Sequence, residues 1–350
     1  MLKKLIVPVA AAAFCLLVPV ASFAASADKP EIDLNGKKIQ QTAVVKDGGL
    51  YLPLRAVAEG EGFQVEWSAA DGGITLKKAD FVMRLDTKER KIVVNGYERY
   101  MGGEYEAIEG MTYMREDFFS EFLKLNIDTT GAGETVLLKS AVENSITIAT
   151  QKEVSDTGTL ELNLQYPEIT GLKDPKVQEG LNARFKELAM AAKAGGLENE
   201  KTMGEDAATR HIKLSTFFNY RVKYNQKGLL SVVFDSYEYS GGAHGMTVRS
   251  SYLFDLETGK EYQLKDLFKD NTDYVAKLSE EIKKQLADKK EMLLTPFEAI
   301  GEDQDFYIGS SGLTVYFQLY EYFPYAYGIP EFKIDFSALE DVLKPELNFF

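Results

Sequence analysis

The glycine-rich segment at residues 239–245, Tyr-Ser-Gly-Gly-Ala-His-Gly, contains one of the two histidines in a chain of 350 residues. Glycines allow a backbone to wrap around a ligand and histidine is the commonest acid–base residue near neutral pH, so this composition suits a phosphate cradle or a catalytic loop. A phosphate cradle presents its ligand to a helix N-terminus and usually carries a lysine, whereas strand-like sequence follows here. We therefore interpret Gly241, Gly242 and Gly245 as turn residues and His244 as a residue that orders the loop.

Other patterns that could support catalysis or metal binding are weak. His211 and His244 cannot complete the usual three-ligand zinc site without a cysteine. The Gly-Ser-Ser-Gly at residues 309–312 lacks the spacing of a nucleophile elbow, and the acidic segments 269–273 and 301–305 lack that of a calcium loop. We expect no catalytic residue, no metal and no cofactor, although a hydrolase with an unrecognised carboxylate pair stays open because acidic residues are abundant.

The N-terminal segment predicts a secretory signal peptide. Two lysines precede an apolar run, and small residues follow in the spacing that favours cleavage after Ala24 or Ala27. We assign residues 1–27 to this signal. A retained membrane anchor is the alternative, but prolines interrupt the run and no stop-transfer charges follow it. Cleavage removes the only cysteine, Cys15, and predicts a secreted or cell-wall-associated protein without disulfides.

The chain is acidic, with 54 acidic and 40 basic side chains and a formal net charge of −14. Loss of the two signal lysines would make the net charge −16. This charge disfavours nucleic acid and anionic lipid, so we expect neither a nucleic-acid partner nor, after signal cleavage, a membrane partner, whereas cationic proteins would be attracted. The charge also fits simple solubility of a secreted protein.

An internal repeat covers residues 32–139. Each copy reads as a strand, a tight turn, a strand, a short helix and a hairpin. The corresponding positions are Ile32 and Ile92, Asn35-Gly36 and Asn95-Gly96, and Leu54-Arg55 and Met114-Arg115. One unit is too small to bury its own apolar face, so we expect both to pack as one α+β domain over residues 28–142.

The stretch YLPLRAVAEGEGFQVEW resembles the copper amine oxidase-like N-terminal domain, the stalk module of secreted proteins from Gram-positive bacteria. The residues that carry the resemblance are Pro53, Arg55, Glu59, Gly62, Val65 and Trp67. The resemblance implies a packing or wall-associated module without copper chemistry, since the chain has too few histidines for the oxidase site. We expect Arg55 and Arg115 to bond to nearby carbonyls, with an anion contact as the alternative.

Alternating and helical periodicities predict an α+β fold for the C-terminal half. Strands are expected on both sides of an amphipathic helix that begins at Pro175 and ends at Gly195-Gly196, and a second amphipathic helix is expected over residues 275–286. The predicted class is therefore α+β: a duplicated small N-terminal module followed by a two-part module of antiparallel sheets with packed amphipathic helices. We place its parts at residues 143–246 and 247–350.

The aromatic segment from residue 313 alternates with a period of two. We expect one face to be core, and for the tyrosines of the other face burial and exposure are both compatible with the pattern. In the loop that follows, Pro324 presets the backbone and Gly328 permits a sharp exit, so Tyr325 and Tyr327 are expected to point outward as anchors for a sugar ring or a protein. The candidate binding residues are Tyr322, Pro324, Tyr325, Tyr327, Tyr239 and His244.

The stretches YPEITGL, YSGGAHG, FDLETGK, FYIGSSGLTVYFQLYE and PYAYGIPEF resemble a paired domain of unknown function. This domain occurs outside the cytoplasm in lysozyme-sensing anti-sigma factors and before the catalytic domain of some peptidoglycan deacetylases. The resemblance covers residues 145–345 and implies binding rather than catalysis. We recognise no sigma-binding segment, transmembrane helix or deacetylase domain in this sequence, so the resemblance does not carry over a signalling role.

Together these observations predict a secreted, non-enzymatic cell-envelope binding protein. We expect recognition of a cationic wall-active protein such as lysozyme, because of the acidic charge and the resemblance. Binding of peptidoglycan or wall glycan through the tyrosine-rich loop is the alternative.

Overall fold

The computed structural model describes residues 29–350 except 47–48, 80, 90, 95–96, 101–104, 131–132, 348 and 350. The predicted signal peptide with Cys15 and the Asn95-Gly96 turn of the second repeat lie outside the described residues. In the part of the chain that the structure describes, no helix has both the length and the apolar character that a membrane span requires. The mixed architecture confirms the predicted α+β class.

The N-terminal module consists of short strands and two short helices. They are β1 (Glu31–Leu34), β2 (Lys37–Ile39), β3 (Val44–Lys46), β4 (Gly49–Pro53), α1 (Leu54–Gly60), β5 (Gln64–Trp67), β6 (Gly73–Lys78), β7 (Phe81–Asp86), β8 (Lys91–Val94), β9 (Tyr97–Tyr100), β10 (Tyr105–Ile108), β11 (Met111–Arg115), α2 (Glu116–Phe122), β12 (Leu125–Thr130) and β13 (Thr135–Ser140). Their sheets have the strand orders β12-β13-β1-β2, β10-β11-β4-β3 and β5-β6-β7-β8-β9.

The two repeats share one core. The equivalent strands β4 and β11 pair in antiparallel fashion with Leu52 opposite Met114, and each leads directly into a helix. The last strand, β13, pairs in parallel with the first, β1, which joins the second repeat to the first. Because Leu54 and Phe118 of the two helices enter the same buried cluster, neither repeat buries its apolar face alone.

Trp67, the only tryptophan of the chain, lies at the end of the edge strand β5 and is 61% exposed. Arg55 holds this strand in place by donating a hydrogen bond of 2.8 Å from Nη1 to the carbonyl oxygen of Val65. This contact confirms the predicted carbonyl bond for Arg55, whereas Arg115 pairs with Asp117.

We expect acrylamide to quench the fluorescence of Trp67 in the folded protein almost as strongly as in urea, because the indole ring lies largely in water. Stern–Volmer titrations with and without urea measure this directly. Since the chain has one tryptophan, the signal has a single source. Marked protection of the ring in the folded protein would contradict its exposed position.

The C-terminal domain contains a six-stranded and a three-stranded sheet, with the orders β14-β15-β16-β17-β18-β19 and β20-β21-β22. Its elements are β14 (Thr147–Asp156), β15 (Leu160–Thr170), α3 (Pro175–Thr209), β16 (Leu214–Gln226), β17 (Leu229–Tyr239), β18 (Met246–Asp255), β19 (Glu261–Tyr262), α4 (Tyr274–Gln285), β20 (Phe306–Ile308), β21 (Gly312–Tyr316), β22 (Glu331–Asp335) and α5 (Phe336–Leu339). Helix α3 is the crossover between the parallel strands β15 and β16.

Helix α3 does not end at Gly195-Gly196 as predicted but continues to Thr209. It starts at Pro175 as predicted, and the structure shows that the Asp174 side chain caps the first turn. At Gly196 the helix backbone lies against β16, and a Cβ atom there would be 2.4 Å from Oγ1 of Thr216. This glycine therefore permits close packing of helix on sheet instead of ending the helix.

The predicted division at residue 246 falls inside one sheet. Strand β18 starts at Met246 and pairs with β17 along its length, and the sheet continues to β19. The three-stranded sheet then packs on the six-stranded sheet, where the Ser251 hydroxyl donates to the carbonyl oxygen of Phe306. The two predicted parts therefore share a β-sheet.

Strand β21 has both faces buried, and it ends at Tyr316, earlier than the alternating pattern predicts. Tyr316 is fully buried, with its hydroxyl 3.0 Å from Oγ of Ser251 on the large sheet. The sheet, rather than a helix, covers this side of the strand. After Tyr316 the chain leaves the strand, and Tyr320 adopts a left-handed backbone with φ +68°.

The two modules meet at a set of buried charges where α2 packs against β16. Glu121 of α2 accepts a hydrogen bond of 2.7 Å from Nζ of Lys223, and their side chains are 7% and 6% exposed. The buried charge network comprises Lys223, Arg221, Arg249, Glu121, Asp235 and Glu331. Burial would raise the pKa of Glu331, but the neighbouring cations Arg249, Lys223 and Arg221 lower it, so this carboxylate stays ionised at neutral pH.

The chain passes between the modules through Val142, which is 85% exposed. On one side, the amide of Ala141 donates to the carbonyl oxygen of Lys124 in the N-terminal module at 2.8 Å. On the other, the amide of Asn144 donates to the carbonyl oxygen of Asn225 in the large sheet at 2.9 Å. The predicted boundary at residue 142 therefore lies at an exposed connection, although the modules it separates are packed together.

Candidate binding site at an aromatic turn and loop

The glycine-rich segment forms the turn between β17 and β18. Gly241 has φ +86°, which favours glycine, and Tyr239 donates its hydroxyl to the carbonyl oxygen of Gly242 at 3.0 Å. Gly245 lies so close to Tyr237 that a Cβ atom would be 2.3 Å from its ring. Gly242 also lies in the turn, but it has no positive φ, and the nearest atom to a Cβ there would be the carbonyl oxygen of His244 at 4.0 Å.

The tyrosine-rich loop lies directly against this turn. Tyr325 donates its hydroxyl to the carbonyl oxygen of Gly245 at 2.9 Å and stacks on the ring of His244 at 3.8 Å between centroids. Tyr320 places its hydroxyl 3.0 Å from Nε2 of the same histidine. We name His244, Tyr320 and Tyr325 the aromatic cluster.

Hydrogen bonding defines the tautomer of His244. Its Nδ1 lies 3.0 Å from the carbonyl oxygen of Gly245, and a carbonyl only accepts, so Nδ1 carries the hydrogen. In the neutral ring Nε2 is then an acceptor and receives the hydroxyl of Tyr320. Nδ1 thus orders the turn itself and Nε2 holds the loop to the turn, as expected for a histidine that orders a loop.

The structure corrects the predicted outward positions of the loop tyrosines. Tyr327 stacks on Phe323 at 4.0 Å and Tyr322 packs on Phe317 at 4.8 Å, so both cover the apolar core of the small sheet. Tyr325 is half-buried against the turn, where its hydroxyl donates a hydrogen bond to the carbonyl oxygen of Gly245.

The exposed ring of the cluster is instead Tyr320, at 46%. Pro324 is exposed and precedes a single 3-10 turn, Tyr325–Tyr327, and Gly328 has φ +79° at the predicted sharp exit. The loop therefore has the predicted backbone, but a different tyrosine faces the solvent.

Two aromatic residues beside the cluster were missed in the sequence. Phe217 on β16 and Tyr237 on β17 stack at 5.7 Å on the face of the sheet opposite α3. Partial burial raises the pKa of Tyr237, as do the neighbouring Tyr325 and Tyr239, while a hydrogen bond from the Gly245 amide opposes the shift. The alternation of the segments STFFNYRV and LLSVVFDSYEY could have predicted this position. It places these two rings on the face of the sheet away from the buried phenylalanines.

The arrangement is suited to binding through rings and hydroxyl groups. Stacked aromatic rings offer flat apolar faces, and tyrosine adds a hydroxyl at the edge. Within the residues that the structure describes, no group of three or more histidine, cysteine, aspartate or glutamate side chains is placed to hold a metal ion. His211 is exposed and remote in sequence from the cluster, following the end of α3 with φ +54°.

Three family models match successive parts of the chain. Residues 33–138 match the copper amine oxidase N-terminal domain, residues 153–247 match the family described as deacetylase PdaC, and residues 265–337 match a protein family of unknown function, DUF3298. These matches confirm both predicted resemblances. The glycine-rich turn lies in the second matched segment and the tyrosine-rich loop in the third. The aromatic cluster therefore forms where these two segments meet.

Among curated proteins, the chain is 28% identical over 225 residues to the peptidoglycan-N-acetylmuramic acid deacetylase PdaC of Bacillus subtilis (strain 168), covering 61% of this chain and 45% of that protein. It is 29% identical over 108 residues to a protease inhibitor of Brevibacillus choshinensis, covering 30% of this chain and 33% of that protein. The chain thus spans less than half the length of either relative.

Two solved structures of DUF3298 proteins resemble part of the chain. The protein from Bacteroides fragilis NCTC 9343 has a TM-score of 0.45 at 23% identity, covering 58% of this chain and 96% of that one. The protein from Pseudomonas aeruginosa PAO1 has a TM-score of 0.41 at 18% identity, covering 59% and 97%.

Proposed function

We propose that the protein is a secreted, non-enzymatic cell-envelope protein that binds the glycan strands of peptidoglycan through the aromatic cluster. The observation that carries this proposal is the fixed stack of Tyr325 on His244 at 3.8 Å, with the exposed ring of Tyr320 beside it. The matched relative that acts on peptidoglycan and the predicted signal peptide support a location in the envelope.

The chemistry of a sugar ring fits such a surface. A pyranose presents apolar C–H groups on its face and hydroxyls around its edge, and tyrosine offers a flat apolar ring with a hydroxyl at its tip. The rings of the cluster are held by hydrogen bonds to the turn, so little conformational entropy remains to be lost on binding.

The test is calorimetric titration with soluble peptidoglycan fragments. Tyr320→Ala should weaken binding by about tenfold or more, because it removes the exposed ring and leaves the hydrogen bonds of Tyr325 intact. Trp67→Ala, which removes another exposed aromatic ring in the N-terminal module, is the control and should bind as the unaltered protein does. Equal affinities for both variants would contradict the assignment of the cluster.

The non-enzymatic part of the proposal is tested on the same fragments. The unaltered protein should bind them without turnover, and His244→Ala should lower affinity because it removes the ring on which Tyr325 stacks and the partner of the Tyr320 hydroxyl. Turnover by the unaltered protein that disappears in His244→Ala would instead identify an enzyme.

A cationic wall-active protein such as lysozyme is the second candidate partner. The net charge of −14 favours it, since opposite charges accelerate and strengthen association. Binding of this kind should weaken steeply as salt is raised, whereas stacking of a neutral glycan should change little. Titration of lysozyme and of wall fragments at low and high salt separates the two candidates.

A further inference from the structure

The face of the large sheet opposite α3 carries a row of side chains that cross four strands. Val154, Asn163, Phe217 and Tyr237 are consecutive cross-strand neighbours on β14, β15, β16 and β17. The alternate residues on β15 and β16, such as Leu162 and Phe218 on the α3 side, are buried. We name these four residues the platform row.

The platform row is accessible to solvent, most fully at its β14 end. Val154 is 57% exposed, and the other three side chains are half-buried. With neighbouring strands ~4.8 Å apart, the row extends over about 14 Å, which is longer than one sugar ring. A single monosaccharide would therefore leave much of it uncovered.

Polar side chains border the aromatic pair. Asn163 accepts a hydrogen bond of 3.4 Å from the amide of Gln165, and Asn219 lies half-exposed on the same face of β16. Amide groups both donate and accept, so they can bond the hydroxyl and acetamido groups of a sugar. Along the other border Asp156 and Glu161 face each other across β14 and β15. Lys213 pairs with Asp156, and the second carboxylate, Glu161, disfavours an anionic polymer.

The row is continuous with the aromatic cluster. Gly245 is the shared contact, because its amide bonds the hydroxyl of Tyr237 and its carbonyl oxygen receives the hydroxyl of Tyr325. Phe217 then extends the aromatic surface from Tyr237 toward β15. One ligand chain can therefore contact the cluster and the row together.

We propose that the platform row is a glycan-binding surface that, with the aromatic cluster at one end, takes several consecutive sugars of a neutral, N-acetylated glycan strand. This inference rests on the proposed function and adds to it the length and chemical class of the ligand. A flat aromatic pair flanked by amides, with one aliphatic residue in the row, matches alternating apolar and polar groups along a glycan. A protein surface would bury a larger apolar area.

The test compares a disaccharide with a hexasaccharide of N-acetylated sugars by calorimetric titration of the full chain. Phe217→Ala should reduce the hexasaccharide affinity by about tenfold or more, because the longer ligand covers this aromatic ring. The disaccharide affinity should not change, because the shorter ligand does not reach Phe217. Tyr320→Ala should reduce the affinity for both ligands.

A second substitution keeps the test independent of folding. Val154→Glu changes an exposed residue at the far end of the row and places a charge that must lose water under a bound sugar, so it should weaken hexasaccharide binding alone. Val82→Glu, at an exposed strand valine of the N-terminal module, is the matched control and should change neither affinity.

The outcomes separate the two proposals. If the unaltered protein binds both ligands equally and Val154→Glu has no effect, the platform row is overturned and the proposed function stands. If it binds neither ligand, the proposed function fails, and the inference fails with it.

Discussion

Replacement of Glu121 by alanine is expected to destabilise the protein by about 3–5 kcal/mol, the range for breaking a buried ion pair. The substitution leaves the Lys223 ammonium buried without its closest carboxylate, and it also removes an anion 4.0 Å from Arg221. Water cannot compensate a charge whose side chain is 6% exposed. Urea unfolding of the full chain measures the loss.

The control for this prediction lies on the same helix. Glu116 pairs with Lys333 at 3.3 Å, but these side chains are 26% and 38% exposed, so Glu116→Ala should cost about 1 kcal/mol or less. Adding Lys223→Met to Glu121→Ala removes the stranded charge and should recover part of the loss. Equal losses for Glu116→Ala and Glu121→Ala would contradict the buried network.

Replacement of Gly196 by alanine is expected to destabilise the protein by about 1–3 kcal/mol, as overpacking of a core does. The new Cβ would lie 2.4 Å from Oγ1 of Thr216 and 3.0 Å from Cδ2 of Leu162, so α3 must move away from the sheet. Thermal unfolding followed by circular dichroism measures the change.

Gly180, in the same helix, provides a matched control of opposite sign. No heavy atom lies within 4 Å of the position that its Cβ would take, so Gly180→Ala should stabilise the helix by about 0.5–1 kcal/mol. If both substitutions shift the unfolding transition in the same direction, the close approach at Gly196 does not determine stability. Both substitutions replace glycine by alanine in the same helix, so they differ only in the surroundings of the new Cβ atom.

Features that depend on nearby residues were predictable. The turn between β16 and β17 has positive φ at Lys227 and Gly228, which is the conformation of a two-residue hairpin that glycine favours. Asp174 caps α3 as its position before a proline predicts. The repeat was visible because each copy needs the same turns and the same apolar positions to fold.

Features that depend on what packs opposite a residue were not predictable. Tyr316, Tyr325 and Tyr327 belong to one tyrosine-rich segment, yet the large sheet buries the first, the glycine-rich turn engages the second and Phe323 covers the third. The alternation of residues along a strand indicates which side chains share a face of the sheet, but it does not indicate which element covers that face.

The α+β class, the duplicated module, the start of α3 at Pro175 and the turn character of the glycine-rich segment could be predicted from the sequence, because these follow from backbone geometry and periodicity over a few residues. Only the tertiary structure decided that Gly196 lies under a continuing helix, that Glu121 and Lys223 bury their charges between modules, and that Tyr320 rather than Tyr327 is exposed. Each of these depends on contacts between segments distant in the chain, and composition and periodicity carry no information about which segments meet.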